Sequence, residues 1–362
     1  MSIIKGIIIK YPFTLFILIF LIGFNIFGIC KENVNYSSIE NKLMAKYEPP
    51  TIETILDKTY MENLETYSSD QFPYRNELIS LNTNLKKYVL LENCINNVYF
   101  GKDGYLFVKY NDNEINKEQV ETNVQSLNTF KNKYNCDIYM IPSSFEILEE
   151  KLPNIYQNIK PNELLKDIEN IEYVDNILKN HKNEYIFYKT DHHWTTYGAY
   201  CLYKEISKNP CEYNIDEVSN DFLGTTHSKI NINVDKDIMY ATKLPENINV
   251  EYDFNGVQSS IYFDKYLKEK DKYSYYLDGN HAFIEIVNND IKDGNLLIIK
   301  DSFANCLIPF LINDYHTINV VDLRFLNMPL SMLIKQNDYS NIIVMYNKVN
   351  FITDNNIVKL TK

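Results

Sequence analysis

Leu296-Leu297-Ile298-Ile299-Lys300-Asp301-Ser302-Phe303 is four consecutive aliphatic residues that end abruptly on a charged pair and a serine. A short unbroken apolar run is the pattern of a strand buried on both faces, as in a parallel sheet. Downstream the unit repeats: a helix over Ala304–Asn313, a strand over Ile318–Val321, a helix over Leu330–Gln336 and a strand over Ile342–Met345. Upstream, a helix over Lys117–Tyr134 leads into a strand over Asp137–Ile141, which Pro142 stops and Ser143-Ser144 follows as a helix cap. A further helix over Pro161–Asn180 feeds a strand over Tyr185–Tyr188. Helices alternating with short apolar strands predict an α/β fold with a mostly parallel sheet flanked by helices.

Between these blocks Asp216–Asn289 is irregular, with β-like fragments at Ile261–Phe263 and Phe283–Val287, and reads as a β-rich insertion beside the sheet. The compact domain is expected to open at Asn97, where two short apolar runs flank Gly101-Lys102-Asp103-Gly104 as a hairpin. It then spans 97–362. Residues 31–87 are polar, and 31–96 read as a stalk with surface helices.

From Tyr11 to Cys30 there is no charge, and about 20 apolar residues suffice to cross a bilayer as a helix. Lys5 and Lys10 precede the run, so the positive-inside bias puts residues 1–10 in the cytoplasm and the bulk of the chain outside. A cleaved signal peptide is the competing reading, and Phe27-Gly28-Ile29-Cys30 is a poor cleavage site because Ile29 is large where a small residue is wanted. The segment is therefore expected to be an uncleaved signal anchor, a single transmembrane helix at the cell membrane with an extracytoplasmic catalytic domain.

At 362 residues and 45% hydrophobic the chain can bury a sizeable core. Its formal net charge of −12, with no basic cluster, excludes nucleic acid as a partner. The 30 Tyr and 19 Phe accompany abundant Asn, Lys and Ile, as an AT-rich genome would produce, so the aromatic count carries no functional weight. Six cysteines lack any C-x-x-C pair or histidine at zinc spacing, so neither a metal nor a cofactor is expected. Cys201 and Cys211 could pair, but buried free thiols are the favoured state.

Two places carry chemistry. Asp191-His192-His193-Trp194 follows the Tyr185–Tyr188 run, and Lys300-Asp301-Ser302-Phe303 follows Leu296–Ile299. Open α/β sheets place their sites at the carboxyl ends of strands. A serine at a strand-to-helix turn is exposed and lies near backbone N–H groups; taken alone, Ser302 is equally a helix N-cap. An Asp and a His two apart in an extended segment face the same way, which lets Asp191 orient His193 as the base that a serine nucleophile needs. The Asp-His-His run also resembles metal ligands, but no second His/Glu pair stands near it in sequence.

Asp191–Trp194 with Lys300–Phe303 resembles the bacterial DHHW protein family, and through it the alginate O-acetylation proteins, whose domain is SGNH-hydrolase-like, hence flavodoxin-like. Gly101–Phe107 and Val321-Asp322-Leu323-Arg324 support the likeness, which covers about Asn97–Asn347. The resemblance implies a triad of Asp191, His193 and Ser302, and an O-acetyltransferase acting on cell-surface or exported polysaccharide, or an esterase where water replaces the sugar. It also implies a partner, a multi-pass membrane-bound O-acyltransferase that passes acetyl groups outward. Asn347, at the end of the last strand, is the candidate oxyanion donor, with a solvated loop Asn as the alternative. Arg324 is a candidate for binding a glycan, or a plain ion pair. Lys300 stands where SGNH enzymes have glycine, which puts the oxyanion turn in doubt and hints at a catalytically silent glycan-binding subunit of an exopolysaccharide machine. His227 and His281 take no role in this reading.

Overall fold

The computed structural model describes residues 11–37, 40 and 42–362. The chain divides into two compact units, Met1–Leu90 and Leu91–Lys362.

In the first unit a helix, α1 (Pro12–Cys30), precedes a two-residue antiparallel pair, β1 (Tyr36–Ser37) with β2 (Lys42–Leu43), and two helices, α2 (Thr59–Asp70) and α3 (Arg75–Tyr88). Buried Asp70 ends α2 and accepts from Lys42 Nζ at 2.7 Å and Ala45 N at 3.0 Å, which ties the β1–β2 segment to that helix. Against the expectation of a transmembrane helix over 11–30, no helix among the described residues is long and apolar enough to cross a membrane. α1 is 19 residues, roughly 28 Å at 1.5 Å per residue and just short of a bilayer core of about 30 Å. It carries no charge, its Phe13, Phe16, Ile19 and Ile22 are exposed, and Asn25 and Ile29 fall outside the described side chains. Residues 1–10, expected in the cytoplasm, lie outside the described residues.

The second unit opens with a three-stranded meander, β3 (Cys94–Ile95), β4 (Val98–Phe100) and β5 (Leu106–Val108). Gly101 and Gly104 make the β4–β5 turn: Gly104 has φ +82°, and a Cβ on Gly101 would sit 2.4 Å from Phe107. Then come α4 (Lys117–Tyr134), β6 (Asp137–Ile141), the short helix α5 (Ser144–Ile147), β7 (Glu172–Tyr173), α6 (Asp175–Asn180) and α7 (Thr196–Ile206). An antiparallel pair follows, β8 (Ile215–Phe222) with β9 (Asp237–Thr242), then β10 (Ile248–Tyr252) and β11 (Phe283–Asn288). Last come β12 (Asn295–Lys300), β13 (Thr317–Val321), α8 (Leu330–Gln336), β14 (Asn341–Asn347) and α9 (Lys348–Thr353).

Seven strands form the central sheet in the order β10-β11-β13-β12-β14-β6-β7. The five from β13 to β7 are parallel, and β11 and β10 extend the sheet antiparallel at one edge. Alternate residues of β12 feed two cores, Leu296 and Ile298 on one face, Leu297 and Ile299 on the other. That is why its sequence reads as continuous rather than alternating. Counted from β12 the parallel strands stand in the order 2-1-3-4-5, the flavodoxin-like arrangement entered part-way round, with β6 and β7 supplied from earlier in the chain. The point where the order reverses lies between β12 and β14, and Ser302 follows β12 directly.

Four expectations about the elements of this unit are corrected. Tyr185–Tyr188 is no strand of the sheet: Ile186, Phe187 and Tyr188 are buried, but the segment folds back on itself through a Phe187–Trp194 bridge. Burial in a loop core leaves the same apolar trace as burial in a sheet. Pro161–Asn180 is broken into Pro161–Leu164 and α6 with β7 between, and Ala304–Asn313 is a 3-10 turn, Ser302–Cys306, followed by Ile308–Leu311, where Pro309 enters. The insertion stands beside the sheet only through β8 and β9; β10 and β11 are part of the sheet itself. All six cysteines are free thiols, Cys201 buried and Cys211 exposed.

Candidate active site

β12 delivers Ser302 to the rim of the sheet, and Asp301 fixes the turn. Its Oδ1 accepts from Phe303 N at 3.0 Å, while Oδ2 accepts from Asn347 N at 2.9 Å and Asn350 Nδ2 at 2.7 Å, tying the end of β12 to the end of β14. Burial raises the Asp301 carboxyl above its ordinary pKa against these donors.

Asp191 and His193 arrive on a hairpin-like loop outside the sheet. Tyr188 N donates to His193 O and Thr195 N to Ile186 O, closing the loop on its own stem. Asp237 anchors the stem, accepting from Lys189 N at 2.8 Å, Thr190 N at 2.7 Å, the Thr190 hydroxyl and the Tyr185 hydroxyl. Leu106 N of the meander donates to Lys189 O at 2.8 Å, which is what the Gly101–Phe107 hairpin does for the site. The indole of Trp194 donates to Phe303 O at 2.7 Å and so pins the loop to the serine turn.

The three residues stand in one line. His193 Nδ1 lies 2.6 Å from Asp191 Oδ1 and His193 Nε2 lies 2.8 Å from Ser302 Oγ, all three side chains being buried. Asp191 Oδ2 accepts from Thr225 N at 2.7 Å and Thr225 Oγ1 at 2.9 Å. Burial disfavours the Asp191 carboxylate, but the two histidines and these hydrogen bonds outweigh it and hold its pKa well below the ordinary range. An ionised Asp191 takes the Nδ1–H of His193 and leaves Nε2 as the acceptor for the serine proton. The Tyr273 ring stacks on His193 at 3.9 Å and 8°, and its hydroxyl donates to Ser302 O at 3.1 Å. Gly224 is required by packing, since a Cβ there would lie 2.2 Å from Asp191 Cβ.

His192 is turned differently. Its Nδ1 lies 2.8 Å from Thr225 Oγ1, its side chain is 31% exposed, and its densely packed surroundings, with His193 beside it, push its pKa down to about 3. Asp191, His192 and His193 could together offer a metal three ligand atoms within 4.8 Å of one another, yet both ring nitrogens of His193 are engaged by Asp191 and Ser302.

The other candidates are occupied elsewhere. Asn347 is buried, its amide donating to Ile141 O and Ser143 Oγ, both at 3.1 Å, while its Oδ1 caps α9 through Val349 N and Asn350 N. Arg324 grips Asp322 with Nε at 2.9 Å and Nη2, an ion pair within its own turn. Lys300 is fully buried on the face shared with Leu296 and Ile298, with Nζ 2.6 Å from Asn305 Oδ1 and 3.9 Å from Asp322. Burial lowers its pKa to about 8. His227 is a core residue whose Nε2 meets Ile232 O at 2.7 Å. Thr225, Asp237 and Tyr273 were not legible in the sequence, for each stands outside a motif and acts through contacts 29 or more residues away.

Residues 155–321 match the family model described as DHHW protein. The match takes in Asp191–Trp194 and Lys300–Phe303 and stops before Asn347. Among solved structures, a DHHW family protein from Eubacterium siraeum is 22% identical, with a TM-score of 0.59 over 74% of this chain and 95% of that one. Bacillus cereus PatB1 with a sulfonyl adduct is 21% identical, with a TM-score of 0.59 over 74% of this chain and 100% of that one. A looser likeness, 12% identical with a TM-score of 0.42, is to the O-acetyltransferase domain of Pseudomonas putida AlgJ, over 73% of this chain and 99% of that one. At such identities the first two likenesses are likenesses of fold. No curated protein matches.

Proposed function

We propose that this chain is an extracytoplasmic serine acyltransferase of SGNH-like type that O-acetylates a cell-surface or exported polysaccharide. The observation that carries the reading is the unbroken line from Asp191 through His193 to the Ser302 hydroxyl. Ser302 Oγ attacks the carbonyl carbon of an acetyl donor as His193 Nε2 takes its proton; the tetrahedral intermediate collapses, and the leaving group departs with that proton. A sugar hydroxyl then gives its proton to His193 and attacks acetyl-Ser302; the bond from the acetyl carbon to Ser302 Oγ breaks as His193 returns that proton to Oγ, and the sugar leaves as the acetyl ester. Ser302 heads a 3-10 turn in which Asp301 takes the Phe303 N–H, and the Ser302 N–H at the head of that turn is the donor this reading assigns to the developing oxyanion. Lys300 points into the core and does not obstruct this chemistry.

The address belongs to the same proposal. Residues 11–30 attach the chain to the membrane, and the uncharged, exposed apolar surface of α1 supports this. An enzyme outside the cell has no acetyl-CoA of its own, so a multi-pass membrane-bound O-acyltransferase supplies the acetyl group.

A sulfonyl fluoride should modify Ser302 alone, as a mass shift on its tryptic peptide. Ser302→Ala should abolish both labelling and turnover of a small acetyl ester without changing the melt, because losing a nucleophile costs several orders of magnitude in rate. A Ser302→Ala protein that keeps turnover but melts several degrees lower would make Ser302 a helix cap and end the enzyme assignment. Release of free acetate rather than acetyl-sugar would make it an esterase.

A further inference from the structure

A cavity of about 510 Å3 opens on the same rim of the sheet as Ser302, over the ends of β10, β11 and β13. β13 is next to β12 in the sheet and β11 is next to β13, so the cavity begins about 5–10 Å along the rim from the strand that carries Ser302. The chain joins the two places. Tyr273 stacks on His193, and seven to nine residues on, Asn280, His281 and Ala282 line the cavity, the loop being held by Asn305 Nδ2 donating to Gly279 O at 2.9 Å.

Its lining combines open aromatic faces with planar polar groups. Phe254 and Phe325 are 52% and 46% exposed. Phe254 lies flat on Phe283 at 4.2 Å and 9°, so the orientation of its ring is fixed. It stands with Asp253 in the left-handed region, at φ +58° and +51°, a conformation that a bulky residue adopts only when its surroundings impose it. His281 Nδ1 is 2.7 Å from Asp253 Oδ2 and Nε2 is 3.7 Å from Asp278 Oδ2, while the buried Asn280 Oδ1 has no hydrogen-bond partner among the described residues. Among the described residues no Lys or Arg lines the cavity; Arg324 lies 5.5 Å over the Phe325 ring, with its charge paired to Asp322.

We propose that this cavity is a subsite for a neutral glycan, holding a sugar ring a short way along the polymer from the ring that is acetylated at Ser302. The C–H face of a sugar packs on phenyl rings, and its hydroxyls donate to carboxylate oxygens such as those of Asp253. Asp253 turns away an anionic uronate chain, because no Lys or Arg lines the cavity to pair with it. The place of this subsite in a reaction rests on the acyl-transfer reading above; the binding itself does not.

The test uses the full chain as Ser302→Ala, titrated by saturation-transfer NMR with cellotetraose, chitotetraose, mannotetraose and tetragalacturonate. At least one neutral tetrasaccharide should bind and tetragalacturonate should not. Phe254→Ala with Phe325→Ala should weaken that binding about tenfold or more, as expected for the loss of two stacking contacts. Asp253→Lys, which leaves both rings in place, should admit tetragalacturonate. Failure of every neutral tetrasaccharide to bind, binding unchanged by the double substitution, or tetragalacturonate bound best by the Ser302→Ala protein would each overturn the proposal. Because no turnover is needed, a Ser302 that never forms an acetyl ester would sink the acyl-transfer reading and leave this result standing.

Discussion

Ser302 and His193 meet at 2.8 Å but reach that point by different means. The serine is set by topology: β12 is buried on both faces and ends where the strand order reverses, so its position follows from the packing of the sheet. The histidine is set by polar side chains on a loop outside the sheet, through Asp237 at the stem, Thr225 on Asp191 and Trp194 across to Phe303. A sheet position tolerates local polar changes, because many apolar contacts determine it. A loop position depends on a few hydrogen bonds, each worth about 1 kcal/mol net, and moves when one is lost. Changes in the loop should therefore cost activity more than stability, and changes in the side chains that pack the end of β12, the nucleophile itself aside, the reverse.

Asp191→Asn should give the largest effect, a fall in kcat of about 10,000-fold on a small acetyl ester, since an amide offers His193 no charge and allows the wrong tautomer. Activity within tenfold of wild type would mean that the loop does not supply the base. Gly224→Ala should come next. The added Cβ at 2.2 Å from Asp191 Cβ must displace the carboxylate, and a shift of about 1 Å in such a constellation costs about 100-fold in rate, with the melt lower by a few degrees from the overpacking. A normal rate would show that the loop absorbs the intrusion and is more compliant than its hydrogen bonds imply.

Trp194→Phe tests the link between the two regions. It keeps most of the buried ring but removes the donor to Phe303 O, leaving a buried carbonyl unsatisfied at a cost of about 1–3 kcal/mol. Turnover should drop roughly tenfold as His193 and Ser302 lose their common tie, and the melting temperature should fall by several degrees. A lower melt with full activity would mean that the sheet and the loop hold register without it.

The same contrast explains what was legible. The runs at Asp137–Ile141, Leu296–Ile299, Ile318–Val321 and Ile342–Met345 all became strands of the sheet, and Lys117–Tyr134 and Leu330–Gln336 became helices with those bounds, because two-sided burial and helical periodicity are written in consecutive residues. Tyr185–Tyr188 carried the same apolar signature, and only long-range contacts decide that it packs as a loop. Pro161–Asn180 looked helical because its break depends on β7 pairing with β6, which no local pattern announces. At the site, Asp191, His193 and Ser302 stood in motifs whose spacing shows in the sequence, while Thr225, Asp237 and Tyr273 reach them only through the fold. Asn347 illustrates the opposite error: its place at the end of β14 was legible, but not that Ile141, Ser143 and α9 would use up its amide.

Lys300→Met, with the smallest expected effect on activity, tests the sheet side of the comparison. In the motif, a lysine where a glycine is usual reads as damage to the turn, yet alternation along β12 directs its side chain to the face of Leu296 and Ile298, into the core. There it holds Asn305 Oδ1, and Asn305 in turn holds Gly279 O. Methionine fills a similar volume without the ammonium, so turnover should stay within about threefold of wild type, whereas a lysine that served the oxyanion would cost about 100-fold or more. Stability should separate the two proteins by pH. The folded-state pKa of Lys300 is about 8, below its ordinary 10.5, so between these values the unfolded chain binds the proton more tightly than the folded one. The stability that wild type draws from this residue must then increase from about pH 8 to 10.5 and be constant, at its least, below that window. Melting curves of wild type and Lys300→Met across this range should show wild type gaining on the variant by a few degrees as the pH rises; a difference that stays flat or shrinks would mean that Lys300 is charged and fully compensated in the core.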